Sequence, residues 1–301
     1  WRKKLEPVME EFPSVEFITD PREAADHLQD ADVLVGGKPG REELERAERL
    51  SLIVVPFAGI NHLPLDLLQR RGVRVANSHG NAHYVAERTV GLLLAFFGKI
   101  IEYHDDLRLR TRWHGFWVGR GLDDTWESID GKRCVVLGAG EIGNALGELL
   151  RPFGVRMIGY KRRKLERLPE GFDEMIYDLD EAIDAGDIVV VALPATDATV
   201  GLLDRRRLSR MEGKFLVNIG RGNIVEEKAL YDLLSERVLR GAAIDCWYSY
   251  PDGGVEGEPS NYPIRELGNV VLSPHIAGFT AQSVEKNVEQ AVENLAGFLR
   301  S

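Results

Sequence analysis

The sequence predicts an α/β protein with two domains, each built on a parallel sheet. Three observations predict this. The chain has 301 residues, against a common domain size of ~100–200 residues. Short apolar runs alternate with helical patterns along nearly all of it, as strand–helix–strand units do. The alternation occurs twice, on either side of one long helical pattern that begins near residue 82. Hydrophobic residues make up 44% and charged residues 29%, which suits a globular protein.

The elements follow in order. Residues 15–18 read as a strand, and residues 21–29 as a helix with Asp20 as its N-cap. Residues 32–35 form a strand closed by Gly36 and Gly37, and residues 41–49 a charged helix. Residues 52–55 form a buried strand, 64–71 a helix and 73–76 a strand. A single long helix is expected over residues 82–108, because Val85, Ala86, Val90, Leu93, Leu94 and Phe97 recur at helical period. Residues 110–126, rich in arginine, tryptophan and glycine, read as an extended arm or loop. A second strand–helix series runs from Cys134 to about Leu272, and residues 281–299 form one amphipathic helix. No repeat of 20–50 residues interrupts this order.

Composition excludes several classes. Lys and Arg number 38 against 48 Asp and Glu, a net charge of −10, whereas nucleic-acid and anionic-membrane binders need a basic surface. The longest apolar run, residues 90–97 broken by Gly91, is far below the ~20 residues of a membrane span. Two cysteines, Cys134 and Cys246, cannot make a disulfide scaffold or a four-cysteine zinc site. A reducing, cytoplasmic setting is expected. No charged-then-apolar signal segment opens the chain. It begins at Trp1 rather than Met, so N-terminal residues are expected to be missing.

The strongest local signal is Arg133-Cys-Val-Val-Leu-Gly138-Ala-Gly140-Glu-Ile-Gly143, an apolar strand running into G-x-G-x-x-G with a helix continuing to Leu150. Glycines there allow a tight turn and bring backbone N–H groups close to a pyrophosphate. The helix N-terminus favours the negative charge. In this strand–loop–helix context the motif reads as a dinucleotide site rather than a structural turn. The next strand, residues 155–159, ends in Tyr160-Lys161-Arg162-Arg163-Lys164. An NAD site places Asp or Glu here, on the ribose 2′-hydroxyl. This chain offers four cations and no carboxylate. Arginine grips a phosphate bidentately, so NADP(H) is the preferred cofactor, with NAD(H) as the alternative. A solvated basic turn is the plain reading.

Two later motifs carry chemistry. In Leu216-Val-Asn218-Ile-Gly220-Arg221-Gly222, flanking glycines let a ligand approach and a guanidinium at a strand end can clamp a carboxylate. In Ser273-Pro-His275-Ile-Ala-Gly278, a histidine follows a strand. Taken singly, Arg221 reads equally well as a surface ion-pair partner and His275 as a satisfied loop histidine.

Together these motifs resemble the D-2-hydroxyacid dehydrogenase family over nearly the whole chain. The resemblance includes Phe57-Ala-Gly59-Ile-Asn61-His62, Val85-Ala-Glu87, Leu193-Pro194 with Thr199, and Ala242-Ala-Ile-Asp245. It implies two Rossmann-like or flavodoxin-like parallel-sheet domains with an active-site cleft between them. The substrate domain is then discontinuous, residues 1–100 plus 279–301, with the NAD(P)-binding domain, residues 101–278, inserted. The implied activity is hydride transfer between NADP(H) and a small 2-oxoacid or D-2-hydroxyacid, as in glyoxylate and hydroxypyruvate reductases. Reduction is inferred from the cofactor. The implied assembly is a homodimer through the cofactor domain. The aromatic arm with Trp113, Phe116, Trp117 and Trp126 suits such an interface, and packing within the chain is the alternative.

Residue by residue, the resemblance implies that Arg221 holds the substrate carboxylate and polarises its carbonyl. His275 is then the general acid, a task matched to an ordinary imidazole near pKa ~6.5. Backbone N–H groups of Ala58, Gly59 and Ile60 bind the carboxylate. Gly138, Gly140, Glu141, Ile142 and Gly143 hold the pyrophosphate together with Thr89. Lys161, Arg162 and Arg163 take the 2′-phosphate, Leu193, Pro194 and Thr199 line the adenosine side, and Ile219, Gly220, Asp245 and Ala277 complete the cofactor site. Asp245 resembles the aspartate that binds the nicotinamide carboxamide.

One position departs from the family. Its third catalytic residue is a glutamate before a proline; here Tyr250 precedes Pro251 and is the catalytic candidate in the glutamate's place. A carboxylate beside His275 would raise its pKa and fix its tautomer, and a phenol supplies no charge. His275 is therefore expected to titrate lower than in glutamate-bearing relatives, unless Glu256 or Glu258 folds back from the loop 251–263. His79 and His83 lie four apart, but without a third ligand no metal site is expected. His62 lies in the carboxylate loop, and His27, His104 and His114 read as surface or interface residues. Ile60, His62, Trp247 and Tyr250 would shape the substrate pocket. The rival reading is a redox-silent nucleotide sensor or corepressor-like interaction protein. A third is a dehydrogenase whose substrate is not a simple 2-hydroxyacid.

Overall fold

The computed structural model describes residues 1–60 and 62–301, with Pro21, Ala25 and Asp123 placed by their backbone alone. The chain divides into two compact units, Trp1–Asn81 with Phe279–Ser301, and Ala82–Gly278.

The first unit opens with α1 (Arg2–Glu11) and α2 (Pro21–Asp26), whose N-cap Asp20 accepts a hydrogen bond from the Arg22 amide. Then come β1 (Val33–Val35), α3 (Arg41–Arg46), β2 (Leu52–Val55), α4 (Leu65–Arg71) and β3 (Arg74–Asn77). The three strands are parallel in the order β1-β2-β3. β2 reads Leu-Ile-Val-Val and is buried on both faces, as a central parallel strand must be. Leu52 and Val54 pack with Leu5 and Val8 of α1 and with Val288, Ala291 and Leu295 of the closing helix, Ala281–Leu299. Ile53 and Val55 pack with Leu44, Leu67 and Leu68. The closing helix starts at a reciprocal cap between Thr280 and Ser283.

Residues 15–18 do not form the expected strand. The Val15 amide turns back to the Phe12 carbonyl, and Phe17 packs onto the helix cluster instead of entering a ladder. α2 and α3 also end before residues 29 and 49, at Asp26 and Arg46.

The second unit begins with α5 (Ala82–Phe97) and α6 (Ile100–Arg110). The expected single helix is thus broken. Lys99 adopts φ +48°, in the left-handed region, and a Cβ on Gly98 would stand 2.6 Å from the Leu94 carbonyl. α5 is the buried half: Val85, Ala86, Leu92 and Leu93 join the same core as Leu146 and Leu150. That packing groups residues 82–100 with the second unit, whereas the sequence placed them in the other domain.

There follow β4 (Arg133–Leu137), α7 (Glu141–Leu150), β5 (Arg156–Tyr160), β6 (Glu174–Ile176), α8 (Leu179–Ala185), β7 (Ile188–Val191), α9 (Arg205–Ser209), β8 (Phe215–Asn218), α10 (Glu227–Ser235), β9 (Gly241–Ile244) and β10 (Val270–Leu272). The seven strands are all parallel, in the order β10-β9-β8-β7-β4-β5-β6. Alternate residues serve opposite faces. Val135, Leu137, Val189, Val191 and Leu216 enter one core, and Cys134, Val136, Val190, Phe215 and Val217 the other. This explains why the sequence shows unbroken apolar runs here rather than polar alternation. Both cysteines are free and buried, and burial pushes each thiol up to about 12. Among the described residues no helix is long and apolar enough to cross a membrane.

Candidate active site

In the second unit, the loops that carry predicted site residues leave the C-terminal edge of the sheet. They follow β4 (138–143), β5 (161–164), β7 (193–199), β8 (219–222), β9 (245–250) and β10 (273–277). The strand order reverses between the neighbours β4 and β7. A crevice outside the carboxyl ends at such a switch is where α/β sheets bind ligands.

The three glycines after β4 have different jobs. Gly138 sits at φ +107°, and a Cβ there would stand 2.8 Å from the Ala192 carbonyl oxygen. Gly143 lies against Phe172, which a Cβ would meet at 2.7 Å. A Cβ on Gly140 would meet nothing within 4 Å, so packing within the chain gives no reason for its bareness. Gly140 caps α7, whose first amides, at Glu141, Ile142 and Gly143, lack intrahelical acceptors. Open space beside unsatisfied N–H groups fits a pyrophosphate.

Beyond β5, Lys161 is half-buried and Arg162, Arg163 and Lys164 are exposed. None of these four side chains makes an ion pair among the described residues, whereas Arg206 and Arg207 both bind Asp180 and hold its carboxyl down at about 2. Thr199 fastens the loop after β7: its hydroxyl donates to the Pro194 carbonyl at 2.6 Å and accepts from the Thr196 amide at 2.8 Å. Leu193 abuts the next loop, because a Cβ on Gly220 would stand 2.7 Å from its carbonyl oxygen. Ile219 beside it is buried.

Asn218, at the end of β8, shapes the arginine turn. Its side chain accepts from the Gly220 amide at 3.2 Å and donates to the Arg221 carbonyl at 3.0 Å. Arg221 is half-buried and donates to the Gly220 carbonyl at 2.7 Å. Gly222 must lack a side chain, since a Cβ would stand 2.1 Å from the Trp247 carbonyl oxygen.

Asp245, 2% exposed, ties this turn to the histidine loop. Its amide donates to the Asn218 carbonyl at 3.0 Å. Its carboxylate accepts from the Ser273 hydroxyl, the Ile276 amide at 3.1 Å and the Ala277 amide at 3.2 Å. The Trp247 indole adds a bond to the Ser273 carbonyl at 2.8 Å, and Arg88 of α5 reaches the Ser273 hydroxyl at 3.4 Å. His275 projects from this braced loop at φ +55°. Desolvation holds its pKa below the ordinary value, Asp245 opposes that shift and the Arg221 cation adds to it. The Tyr250 ring lies 5.2 Å from the His275 ring, tilted by 43°, and its hydroxyl accepts from the Trp247 amide at 3.0 Å. Burial raises the Tyr250 pKa further, so the phenol is neutral.

The loop 251–263 supplies no carboxylate: Glu258 pairs with Arg265 at 2.9 and 3.1 Å, and Glu256 is exposed. Thr89 lies on α5, which packs on the same core as the helix of the glycine loop. It is fully buried, and its hydroxyl donates to the Val85 carbonyl at 2.7 Å. His79 lies outside α5, so it shares no helical face with His83. His114, expected at the surface or an interface, is held within the arm. Only 9% of its side chain is exposed, and Asp124 and Asp106 bracket its two ring nitrogens at 2.8 Å each. Sequence reasoning also gave no role to Asn218 and Ser273, whose only signal was their place at a strand end beside a motif.

In the first unit, the carboxylate-loop motif follows β2. The Ala58 carbonyl accepts from the Asn77 side chain at 2.7 Å. The amides of Ala58, Gly59 and Ile60 donate to no acceptor among the described residues. Asn61 lies outside the described residues. His62 packs against Phe57 with ring centroids 5.5 Å apart, and burial, then Lys38, lower its pKa against the opposing Gly59 backbone.

Residues 90–277 match the profile of the D-isomer specific 2-hydroxyacid dehydrogenase NAD-binding domain. A glyoxylate reductase of Thermofilum pendens is 31% identical over 281 residues, 91% of this chain and 80% of its own. A solved protein of Pyrococcus horikoshii OT3 has a TM-score of 0.81 at 33% identity, covering 100% of this chain and 90% of that one. A solved acyclic imino acid reductase, in complex with NADPH and D-Arg, has a TM-score of 0.78 at 26% identity over 94% of this chain and 88% of its own. The glycine loop at the switch point, the arginine and histidine turns on the strand ends to either side of β9, and these matches place the chain in the D-isomer-specific 2-hydroxyacid dehydrogenase family, oxidoreductases that use a nicotinamide dinucleotide.

Proposed function

We propose that the protein is a reductase of small 2-oxoacids that prefers NADPH and forms D-2-hydroxyacids. The observation that carries this reading is the bracing of the Arg221 turn and the His275 loop by one buried carboxylate, Asp245. Bound NADPH supplies a hydride to C2 of the substrate. Arg221 holds the carboxylate and polarises the carbonyl, and His275 hands a proton to the carbonyl oxygen. The amides of Ala58, Gly59 and Ile60, which have no acceptor among the described residues, would add donors for the carboxylate. Asp245 has lone-pair capacity left for the nicotinamide carboxamide, and Ala277, Ile219 and Gly220 border it. Gly138, Gly140, Glu141, Ile142 and Gly143 take the pyrophosphate, and Leu193, Pro194 and Thr199 the adenosine. The unpaired Lys161, Arg162 and Arg163 support the choice of NADPH over NADH.

The same reading has the protein act as a cytoplasmic homodimer. Trp113, Phe116, Trp117, Leu122 and Trp126 are 60–88% exposed, and an interface would cover them. The second reading, a redox-silent nucleotide sensor, draws on Tyr250 standing where the family has glutamate. The imino acid reductase among the relatives extends the substrate question to C=N bonds.

The test is a panel of 2-oxoacids, glyoxylate and hydroxypyruvate included, with NADPH or NADH. Turnover that His275→Ala abolishes supports the reductase. Tight NADPH binding with no turnover on any oxoacid overturns it in favour of the sensor.

A further inference from the structure

We propose that this site reduces 2-imino acids, the C=N counterparts of 2-oxoacids, and that His275 acts on them as a hydrogen-bond acceptor instead of a proton donor. The inference rests on the reductase reading above and names a second substrate class for the same site.

The argument starts from proton bookkeeping. When hydride reaches C2 of a 2-oxoacid, the C=O π electrons move to oxygen, and the alkoxide must take a proton from the site. A protonated His275 can give it. When hydride reaches C2 of an iminium, the C=N π electrons move to a nitrogen that already carries its protons. The product is a neutral amine, which later takes a proton from water. The cofactor is oxidised and the carbon reduced in both cases, but only the carbonyl needs an acid.

The surroundings of His275 disfavour its protonated form and leave the neutral ring suitable as an acceptor. Four titratable side chains reach it or its loop among the described residues: Arg88 from α5, Arg221 after β8, and Asp245 and Tyr250 after β9. Two are cations, and one is a neutral phenol. The single carboxylate, Asp245, is taken up by Ser273 and two backbone amides of the loop and makes no bond to the imidazole. The imidazolium therefore has no anion in hydrogen-bond contact, where a glutamate at position 250 would supply one. A neutral ring keeps a lone pair that can accept from an iminium N–H. An imidazolium has none and would repel the substrate's charge. Arg221 serves both substrate classes, because both carry the carboxylate that it clamps.

The experiment supplies pyruvate and NADPH, with and without excess methylammonium at alkaline pH, and identifies products by mass spectrometry. N-methylalanine is expected beside lactate. In His275→Gln, which keeps an acceptor and removes the acid, lactate formation should fall by about 100-fold or more, while N-methylalanine formation falls far less. A second readout needs no turnover: the His275 imidazole of the free protein, followed by NMR, should titrate below an ordinary histidine. Lactate without N-methylalanine overturns the inference and leaves the reductase reading standing. Equal loss of both products in His275→Gln, or a His275 that titrates above the ordinary value, also overturns it. No product of either kind, with NADPH still bound, overturns the reductase reading and this inference together.

Discussion

Ser273 donates its hydroxyl to Asp245 at 2.5 Å, joining the ends of the neighbouring strands β9 and β10. Both groups are buried, at 1% and 2% exposure, so water cannot replace the bond cheaply. A hydrogen bond to a buried charged group contributes about 1.5–3 kcal/mol. Ser273→Ala should lower unfolding stability by about that much. It should also lower kcat more than it raises the KM for cofactor, because the freed loop carries His275. Denaturant melts and steady-state kinetics check this. An unchanged midpoint would mean that the Ile276 and Ala277 amides suffice to hold the loop.

The cationic turn after β5 predicts a split between cofactors. Lys161, Arg162 and Arg163 make no ion pairs among the described residues, so neutralising them should leave the fold intact. Each charge-assisted bond to a 2′-phosphate contributes about 1.5–3 kcal/mol, or roughly 10–100-fold in affinity. The double variant Arg162→Ala, Arg163→Ala should raise the KM for NADPH by at least about 10-fold and barely move that for NADH. Equal effects on both cofactors would make the turn a solvated basic loop.

Much of this was legible in the residues because the governing interactions are local. Continuous apolar runs such as 134–137 and 188–191 showed strands buried on both faces, and G-x-G-x-x-G announced a phosphate-sized turn. What was hidden depends on tertiary partners. The helix break at Lys99 could not be read from periodicity, since the apolar stripe ends at Phe97 without a proline. Residues 15–18 have strand-like composition but no neighbour to pair with. Asn218 and Ser273 became visible only once the strand ends were side by side. The bonds of His114 were not readable because its two partners, Asp106 and Asp124, reach it from a helix on one side and a turn on the other.

That histidine predicts how the arm responds to pH. The Asp124 bond, then Asp106, raise its pKa against desolvation, and the same bonds lower both carboxyls. A raised folded-state pKa means that His114 stabilises the arm fully below the unfolded value near ~6.5. That contribution is lost as pH rises through the higher folded-state pKa. The carboxyls contribute above their ordinary range and lose it as pH falls through their depressed values. Arm protection should therefore be greatest at mildly acidic to neutral pH. Hydrogen exchange at the Gly115 amide, which donates to Asp124 at 2.9 Å, should speed up at alkaline pH beyond its intrinsic acceleration. His114→Gln should flatten that dependence.

The exposed rings of the arm predict the assembly state. Phe116 and Trp117 stack on each other at 4.5 Å yet remain 73% and 82% exposed. Exposed apolar clusters of this kind on a folded protein mark contact surfaces. Wild type should sediment as a dimer, and Phe116→Asp with Trp117→Asp should sediment as a monomer with an unchanged far-UV spectrum. A wild type that stays monomeric at high concentration would leave the arm without its proposed partner.

The tilted contact between Tyr250 and His275 predicts the pH profile of the two chemistries. Carbonyl reduction needs the imidazolium, so its rate should fall as pH rises through the His275 pKa, which desolvation holds below the ordinary value against Asp245 and with Arg221. A carboxylate at position 250 would stand beside the ring and favour its charged form. Tyr250→Glu should therefore move the alkaline fall of oxoacid reduction to higher pH and raise the rate near neutrality. Imine reduction should gain nothing from the same change, because its hydride step takes no proton from the ring. If both variants show the same midpoint with oxoacids, Tyr250 does not set the histidine's protonation, and the missing glutamate has no electrostatic consequence at this site.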